Sequence, residues 1–317
     1  MKMQNKEKIL FAIPDAVNLI VCNFGVLKAL EEHPEWFYDD FEIDTAYGAP
    51  ANCIWNGSKV FEEGCVRPAV FKGGYSVYKG FGVNYCLTFT NFMLEWKHIF
   101  DVYGNAMAAA LNEVGGLVAI STETLEKHIR KNWPDLQVVW STHTNYGRGY
   151  GLDTEIAKIN QLSEKELVVA PYTFNNKFEV LEKFAHPENV GFIVNDPCID
   201  DCPYRIQHTA MSNLVNLFQM DETYCILVRE RGIDPKAVEH KHKIKRENLQ
   251  EYVARGFRHF ILAGRGEQIQ NAFGSYLEYL VLPDCYRPFT DFVNDFGMKE
   301  MAKRDAGGNK ASERETE

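Results

Sequence analysis

Apolar positions along the chain gather into eight short runs: Ile9–Asp15, Phe41–Gly48, Tyr85–Thr90, Leu117–Thr122, Gln137–Thr142, Glu166–Tyr172, Gly191–Asn195 and His259–Arg265. Most are continuous and rich in β-branched residues, as in Leu167-Val168-Val169 and Val138-Val139-Trp140, the pattern of strands buried on both faces. Segments with helical periodicity lie between them. Thr122 is placed to cap a helix that stops before Pro134, a second helix runs from near Asp153 to Ser163, and Asn175 is placed to cap Lys177–Phe184. Alternation of strand and helix implies a parallel sheet with right-handed crossovers. Eight such units predict an α/β fold, a closed (βα)8 TIM-type barrel, with an open doubly wound sheet as the alternative. Pro14-Asp15-Ala16 follows the first run, where a dinucleotide-binding sheet would carry a glycine-rich turn.

The length of 317 residues suits a single barrel of this kind, which takes about 250 residues. The expected domain is 1–297, with long insertions at 53–84 and 218–257. The polar, charged, glycine-containing segment 298–317 reads as a disordered tail. Within the second insertion, the basic run His240–Arg246 reads as a solvated face or a helix start.

Composition narrows the function classes. The 45% hydrophobic content fits a soluble protein with a sizeable core, and a net charge of −10 argues against a broad grip on nucleic acid. No run approaches the roughly 20 apolar residues of a membrane helix. The apolar stretch Ile9–Ile13 is too short for a signal peptide, so a cytoplasmic location is expected. In that compartment the eight cysteines read as thiols or ligands rather than as a disulfide framework.

A barrel collects its chemistry at the C-terminal ends of the strands. The densest concentration of reactive groups follows the seventh run, in Gly191–His208, with two cysteines, an arginine and a histidine. Thiolates four apart on a turn, Cys198 and Cys202, suit zinc or an iron–sulfur cluster. Cys53, after the second run, falls on the same predicted rim, with His208, Cys225 and Cys285 as candidates for a fourth ligand. Arg205 and Arg265 are able to hold an anionic group bidentately, or else to pair with rim carboxylates. His208 is a ligand, an acid–base group or a polar residue of the next helix. Asn195 and Arg205 join it as catalytic candidates, while Tyr47, Asn52, Trp55, Asn91, His143 and Arg265 are candidate substrate contacts. Tyr47, Asn52, Asn91, Asn195, Arg205 and Arg265 are expected to line one pocket. No Ser-His-Asp set, Gly-x-Ser-x-Gly elbow or His-Glu-x-x-His motif is present.

Three segments resemble the TIM-barrel superfamily of the collagenase-like peptidases (peptidase family U-thirty-two) and their ubiquinone-hydroxylation relatives. Thr45-Ala-Tyr-Gly-Ala-Pro-Ala-Asn-Cys53 is similar to the family's second strand, which in the ubiquinone accessory proteins runs into a cluster cysteine. Asn195–Arg205 falls where the family carries further cysteines. Gly256–Arg265 is similar to its closing strand, with Ile261 where the family has lysine. The phrases Ile54-Trp-Asn-Gly57, Leu87-Thr-Phe-Thr-Asn91 and Val194-Asn-Asp-Pro-Cys198 through His208 resemble an anaerobe- and phage-type branch of such barrels. The likeness runs from about Ile9 to Arg287. No activity comes with that branch, while the resemblance to the superfamily's ubiquinone-hydroxylation relatives implies a 4Fe–4S cluster and a part in oxygen-independent hydroxylation of quinone or RNA. The cysteine spacing departs from the relatives, and Arg205 stands where a C-x3-C-x2-C motif would place its third cysteine.

Three function classes follow. One is a redox enzyme or accessory subunit holding an iron–sulfur cluster on Cys53, Cys198 and Cys202. Another is a peptidase-like hydrolase using zinc on Cys198, Cys202 and His208. The third is a non-catalytic barrel whose rim aromatics Tyr47, Trp55 and Tyr172 meet a partner or a second copy. The expected ligand is a small molecule, a peptide or a modified base, and no membrane partner is expected.

Overall fold

The computed structural model describes residues 7–57, 66–141, 151–200, 202–218, 225–233, 238–264 and 269–314, the side chains of 269–271 and 304–314 excepted. Eight parallel strands close a barrel in sequence order: β1 Ile9–Ile13, β2 Phe41–Gly48, β3 Asn84–Phe89, β4 Leu117–Ile120, β5 Gln137–Trp140, β6 Leu167–Ala170, β7 Val190–Ile193 and β8 His259–Ile261. The seam is the pairing of β1 with β8, Leu10 opposite His259 and Ala12 opposite Ile261. The chain therefore folds as the TIM-type barrel that its strand–helix alternation predicts. Among the described residues no helix is long and apolar enough to cross a membrane.

Alternation along each strand divides the wall into two faces. Ile9, Phe11 and Ile13 of β1, Phe41 and Ile43 of β2, Leu87 and Phe89 of β3, and Phe192 and Phe260 of β7 and β8 point outward into one large core under the helices. Phe192 alone meets the rings of Tyr252, Phe257 and Phe260, at centroid distances of 5.3, 5.2 and 6.4 Å. The opposite parity faces the lumen. There Cys86, Ala119 and Val139 form a small second cluster with Tyr47, Leu117, Leu167 and Val169. Leu10, Ala12, Ile193, His259 and Ile261 share that parity and are half-buried.

A bulge in β2 breaks the alternation. Phe11 pairs with Ile43 but Ala12 pairs with Thr45, leaving Asp44 as the extra residue. A bulge re-aims the side chain it carries, and the Asp44 carboxylate stands 4.0 Å from His259 Nδ1, across β1. Burial pushes the Asp44 carboxyl up to about 6. Burial also lowers the pKa of His259, with Arg258 adding to the effect.

Two helix-level expectations are resolved in detail. Thr122 does cap helix Glu123–Asn132, accepting the Leu125 amide. Asn175 does not cap the helix Phe178–Leu181. Its amide nitrogen instead donates to the carbonyls of Ile193 and His242, at 2.8 and 2.9 Å. The domain boundary expected at Gly297 falls inside a helix, Tyr286–Arg314. That helix starts on the barrel, where Val293 meets Gly25 of helix Ile20–Glu32. It continues through Met298-Lys-Glu-Met-Ala-Lys303, good helix formers.

Candidate active site at the barrel mouth

Strand parity sets the floor of the mouth. Phe89 pairs with Ile120 and Ile120 with Trp140, so the next residues, Thr90, Ser121 and Ser141, stand side by side at the tops of β3, β4 and β5. The Ser141 amide donates to the Ile120 carbonyl at 2.8 Å, which carries the register one residue further. All three share the parity of the lumen cluster, because Trp140 between them points out to bond Glu166. Each is buried, Ser121 to 3% exposure, and among the described residues the Ser121 hydroxyl has no hydrogen-bond partner. Thr88, two residues below Thr90, donates to the Gly48 carbonyl, and Tyr47 of β2 donates past β1 to the Leu262 carbonyl after β8 at 2.6 Å. One side of the upper lumen is thus hydroxyl-lined.

A helix lies across this floor. The mouth helix, Arg205–Phe218, begins beside β7, yet its Asn213 accepts the Phe92 amide at 3.1 Å after β3, and its Asn216 donates to the Asn56 carbonyl after β2. β3 is four strands from β7, the opposite side of the ring. Fourteen residues at 1.5 Å per residue give about 21 Å, enough to make the crossing. Its polarity is inverted. Ser212, Asn213 and Asn216 are buried, with His208 and Thr209 half-buried, while Ile206, Met211 and Phe218 are 50, 45 and 65% exposed.

Asn91 pins the far end of the crossing. Its side-chain amide donates to the carbonyls of Ile54 and Asn213, and its oxygen accepts the Met93 amide. The near end is pinned by Asp196, which receives both Arg205 guanidinium nitrogens at 3.0 Å and the Cys198 amide at 2.9 Å. Burial alone would raise the Asp196 carboxyl, but Arg205 and the Cys198 amide hold it below the ordinary carboxylate range. Of the two readings for Arg205, an anion holder or a partner of a rim carboxylate, the structure has the second. The guanidinium also lies over the Tyr172 ring, 4.6 Å from its centroid.

The run His240–Arg246 proves to be a strap and not a solvated face. His242 is buried, bonding the Asp200 carboxylate at 2.8 Å and the Asp196 carbonyl at 2.9 Å, and His240 meets the Cys198 carbonyl at 3.0 Å. The strap so completes the turn after β7. Burial tends to raise the Asp200 carboxyl, and His242 with the Lys241 amide brings it down. Arg246, at the far end of the run, pairs with Asp40.

Of the other expected residues, Asn195 joins β7 to β8, donating to the Ser275 hydroxyl and accepting the Ala263 amide. Asn52 stands exposed on the rim with φ 58°. Trp55 is not a rim contact. It is fully enclosed in the outer core, its indole donating to the His98 carbonyl and packed so closely on Gly104 that an added Cβ would lie 2.6 Å from the ring. Tyr172 is likewise buried, so of the expected rim aromatics only Tyr47 is half-exposed, and its hydroxyl is spent on Leu262. His143 and Arg265 lie outside the described residues.

Cys53 also belongs to the outer apolar core, at 1% exposure. That matters for the metal expectation, since a 4Fe–4S cluster or a structural zinc needs four converging donors. Among the described residues no three His, Cys, Asp or Glu side chains converge in that way. Burial instead pushes the Cys198 thiol's pKa up, against the pull of the nearby Arg205 guanidinium, a positive neighbour that a bound cation would oppose. The described side chains do not fit either group.

Sequence reasoning passed over Asn213 and Asn216, and it left Ser121, Ser141 and Asp200 among the polar positions at the strand ends without a role. Their signals were positional: a serine just past the last apolar residue of a strand, and two asparagines three apart on one helix face.

No family model and no curated protein matches this chain. Among solved structures it is similar to a U32 peptidase, with TM-score 0.49 and 11% identity over 83% of this chain and 96% of the other. It is also similar to a GH113 β-1,4-mannanase, with TM-score 0.42 and 11% identity over 92% and 99%. A third similarity is to an HpcH/HpaI aldolase from Desulfitobacterium hafniense DCB-2, with TM-score 0.33 and 10% identity over 82% and 87%.

Proposed function

We propose that this barrel is an enzyme acting on a small polar substrate, held between the hydroxyl row Thr90, Ser121 and Ser141 and the underside of the mouth helix. The inverted polarity of that helix carries the reading. A helix covering an ordinary apolar core would bury Ile206, Met211 and Phe218, whereas this one turns them outward and faces the mouth with Ser212, Asn213 and Asn216. A buried hydroxyl left unpaired costs about 1–3 kcal/mol. An oxygen or nitrogen of a ligand under the helix would satisfy Ser121. His208, on the first turn of the helix, is the group suited to move a proton at neutral pH. The thiolate–metal readings need donors beyond the described side chains. The rim-aromatic reading needs the exposed Trp55 and Tyr172 that the barrel lacks.

Thermal-shift screening against small sugars, carboxylates, nucleosides and short peptides tests the proposal. At least one class should raise Tm in the native protein, and Ser121→Val should abolish that shift while leaving the ligand-free Tm within a few degrees. A panel without any stabiliser, or a stabiliser indifferent to both Ser121→Val and His208→Gln, would sink it.

A further inference from the structure

One buried atom beside the hydroxyl row is left idle by the fold. Asn56, in the loop after β2, is fully enclosed, and its side-chain nitrogen donates to the Pro50 carbonyl. That bond fixes the orientation of the amide and leaves the oxygen, which has no hydrogen-bond partner among the described residues. The backbone carries this side chain to the row. The Asn56 carbonyl accepts from Asn216 of the mouth helix at 2.8 Å. Gly57, the next residue, lies directly on Thr90, whose hydroxyl donates to the Gly57 carbonyl at 3.5 Å. A Cβ on Gly57 would stand 2.2 Å from the Thr90 carbonyl oxygen and 2.7 Å from its hydroxyl, an approach that only glycine permits. Ser121 stands on the other side of Thr90, one strand spacing of about 4.8 Å away. Asn56 and Ser121, each with an unsatisfied oxygen, therefore flank one threonine in a corner beneath the far end of the mouth helix.

Counting donors and acceptors limits what this corner takes. An asparagine oxygen only accepts, so its missing partner must bring a hydrogen, whereas the Ser121 hydroxyl both donates and accepts. A ligand hydroxyl, or two on adjacent carbons, completes both atoms, giving a hydrogen to Asn56 and receiving one from Ser121. A carboxylate answers Ser121 but sets a second acceptor against the Asn56 oxygen. An ammonium group answers Asn56 but leaves the Ser121 hydrogen without an acceptor. We propose that Asn56 is the specificity-determining residue of the site between the hydroxyl row and the mouth helix, and that the substrate is a neutral sugar with a hydroxyl donating to the Asn56 oxygen. This inference rests on the site proposed above and adds the class of its ligand. The surroundings agree, since Thr90 and Ser141 supply further hydroxyls and Arg205, the cation at the near end of the helix, is occupied by Asp196. Both idle atoms are covered, so the far end of the helix lifts to admit the sugar.

The test compares neutral monosaccharides (glucose, mannose, galactose and ribose) with carboxylates that carry no hydroxyl (acetate and succinate), by thermal shift on the native protein. At least one sugar should raise Tm, and the carboxylates should not. That sugar is then titrated calorimetrically as a series in which fluorine, which cannot donate, replaces each hydroxyl in turn. One position should weaken binding about tenfold, as expected when a buried acceptor loses its donor. Asn56→Leu, checked for intact fold by circular dichroism, should weaken the parent sugar by a similar factor and make it indifferent to fluorine at that position. Asn56→Asp, which keeps an accepting oxygen, should retain the preference for hydroxyl over fluorine there. A merely structural role for Asn56 would leave the fluorine effect unchanged in Asn56→Leu and overturn the proposal. Equal losses at every hydroxyl of the native series would overturn it without any variant. A sugar panel with no stabiliser, or succinate binding that is lost in Ser121→Val, would also overturn it. In the succinate case the site itself still stands, whereas a stabiliser indifferent to both Ser121→Val and His208→Gln removes the site and its sugar together.

Discussion

Phe11, Phe192 and Phe260 on the outside of the barrel wall and Leu10, Ile193 and Ile261 on its inside come from the same strands, yet only the first set is sealed from water. The outer face meets a helix layer and packs aromatic on aromatic. The inner face rises from the mixed Asp44–His259 level to the hydroxyls of Thr90, Ser121 and Ser141, under a helix with a polar underside. Stability is therefore invested outside the wall, and the polar groups are left to the lumen. A sheet whose two faces divide the work in this way should respond to substitution very differently on each.

The largest effect should come from the outer face. Phe192→Ala removes a fully buried ring that touches three others and should cost about 3–5 kcal/mol in urea unfolding. Val169→Ala on the inner face of β6 should cost well under half of that, since its side chain is already half-exposed. Equal losses would erase the distinction between the faces.

Asp44 gives an effect of the opposite sign. Its folded pKa, about 6, lies above that of an unfolded aspartate. Between roughly pH 4 and 6 the native state keeps a proton that the unfolded chain has released, so stability falls as pH rises through that window. Asp44→Asn should remove that fall. The variant should be about 2 kcal/mol more stable than the native protein at pH 7, allowing for the 28% exposure of the carboxyl, with little difference below pH 4. His259, whose pKa is lowered, works the other way below its unfolded value and should steepen the acid limb. A pH-independent difference between variant and native protein would show that Asp44 titrates alike in the folded and unfolded chain.

The smallest change in stability should be at Ser121. Ser121→Ala deletes a buried hydroxyl that has no partner, so unfolding should shift by about 1 kcal/mol or less, in the stabilising direction. A loss larger than that would mean the hydroxyl is satisfied, and would remove the motive for placing a ligand there.

The strands were legible because a parallel wall needs apolar residues on its outer face whatever the lumen holds. All eight expected runs start within one residue of the observed strands. All but the second overshoot at the far end, as in His259–Arg265 against His259–Ile261, because apolar character reports burial and Leu262 stays buried after the strand pairing ends. The site was less legible. Choosing residues by reactivity favoured Cys53 and Trp55, which the loop after β2 carries into the outer core. Strand parity would have favoured Ser121 and Ser141. The crossing of the mouth helix was hidden, because an inverted helix resembles an ordinary amphipathic one until the side that faces the barrel is known. Arg205 and Asn195 were rightly placed at the mouth end of β7, but their side chains are committed to Asp196 and to the β8 junction.

The pins that hold the mouth helix join residues far apart in the chain: Asn91 with Asn213, 122 positions on, and Asn56 with Asn216, 160 positions on. The β1–β8 seam closes over a still longer span, with Leu10 against His259. Contacts of such separation bear the greatest loop-closure cost and form late in folding. A ribosome releasing this chain would thus expose β1 to β6 with their hydroxyls open to water, and the cover would descend only after strand seven had emerged. The covered mouth is a property of the finished ring, and a half-barrel fragment, however well folded, should have the floor without the roof.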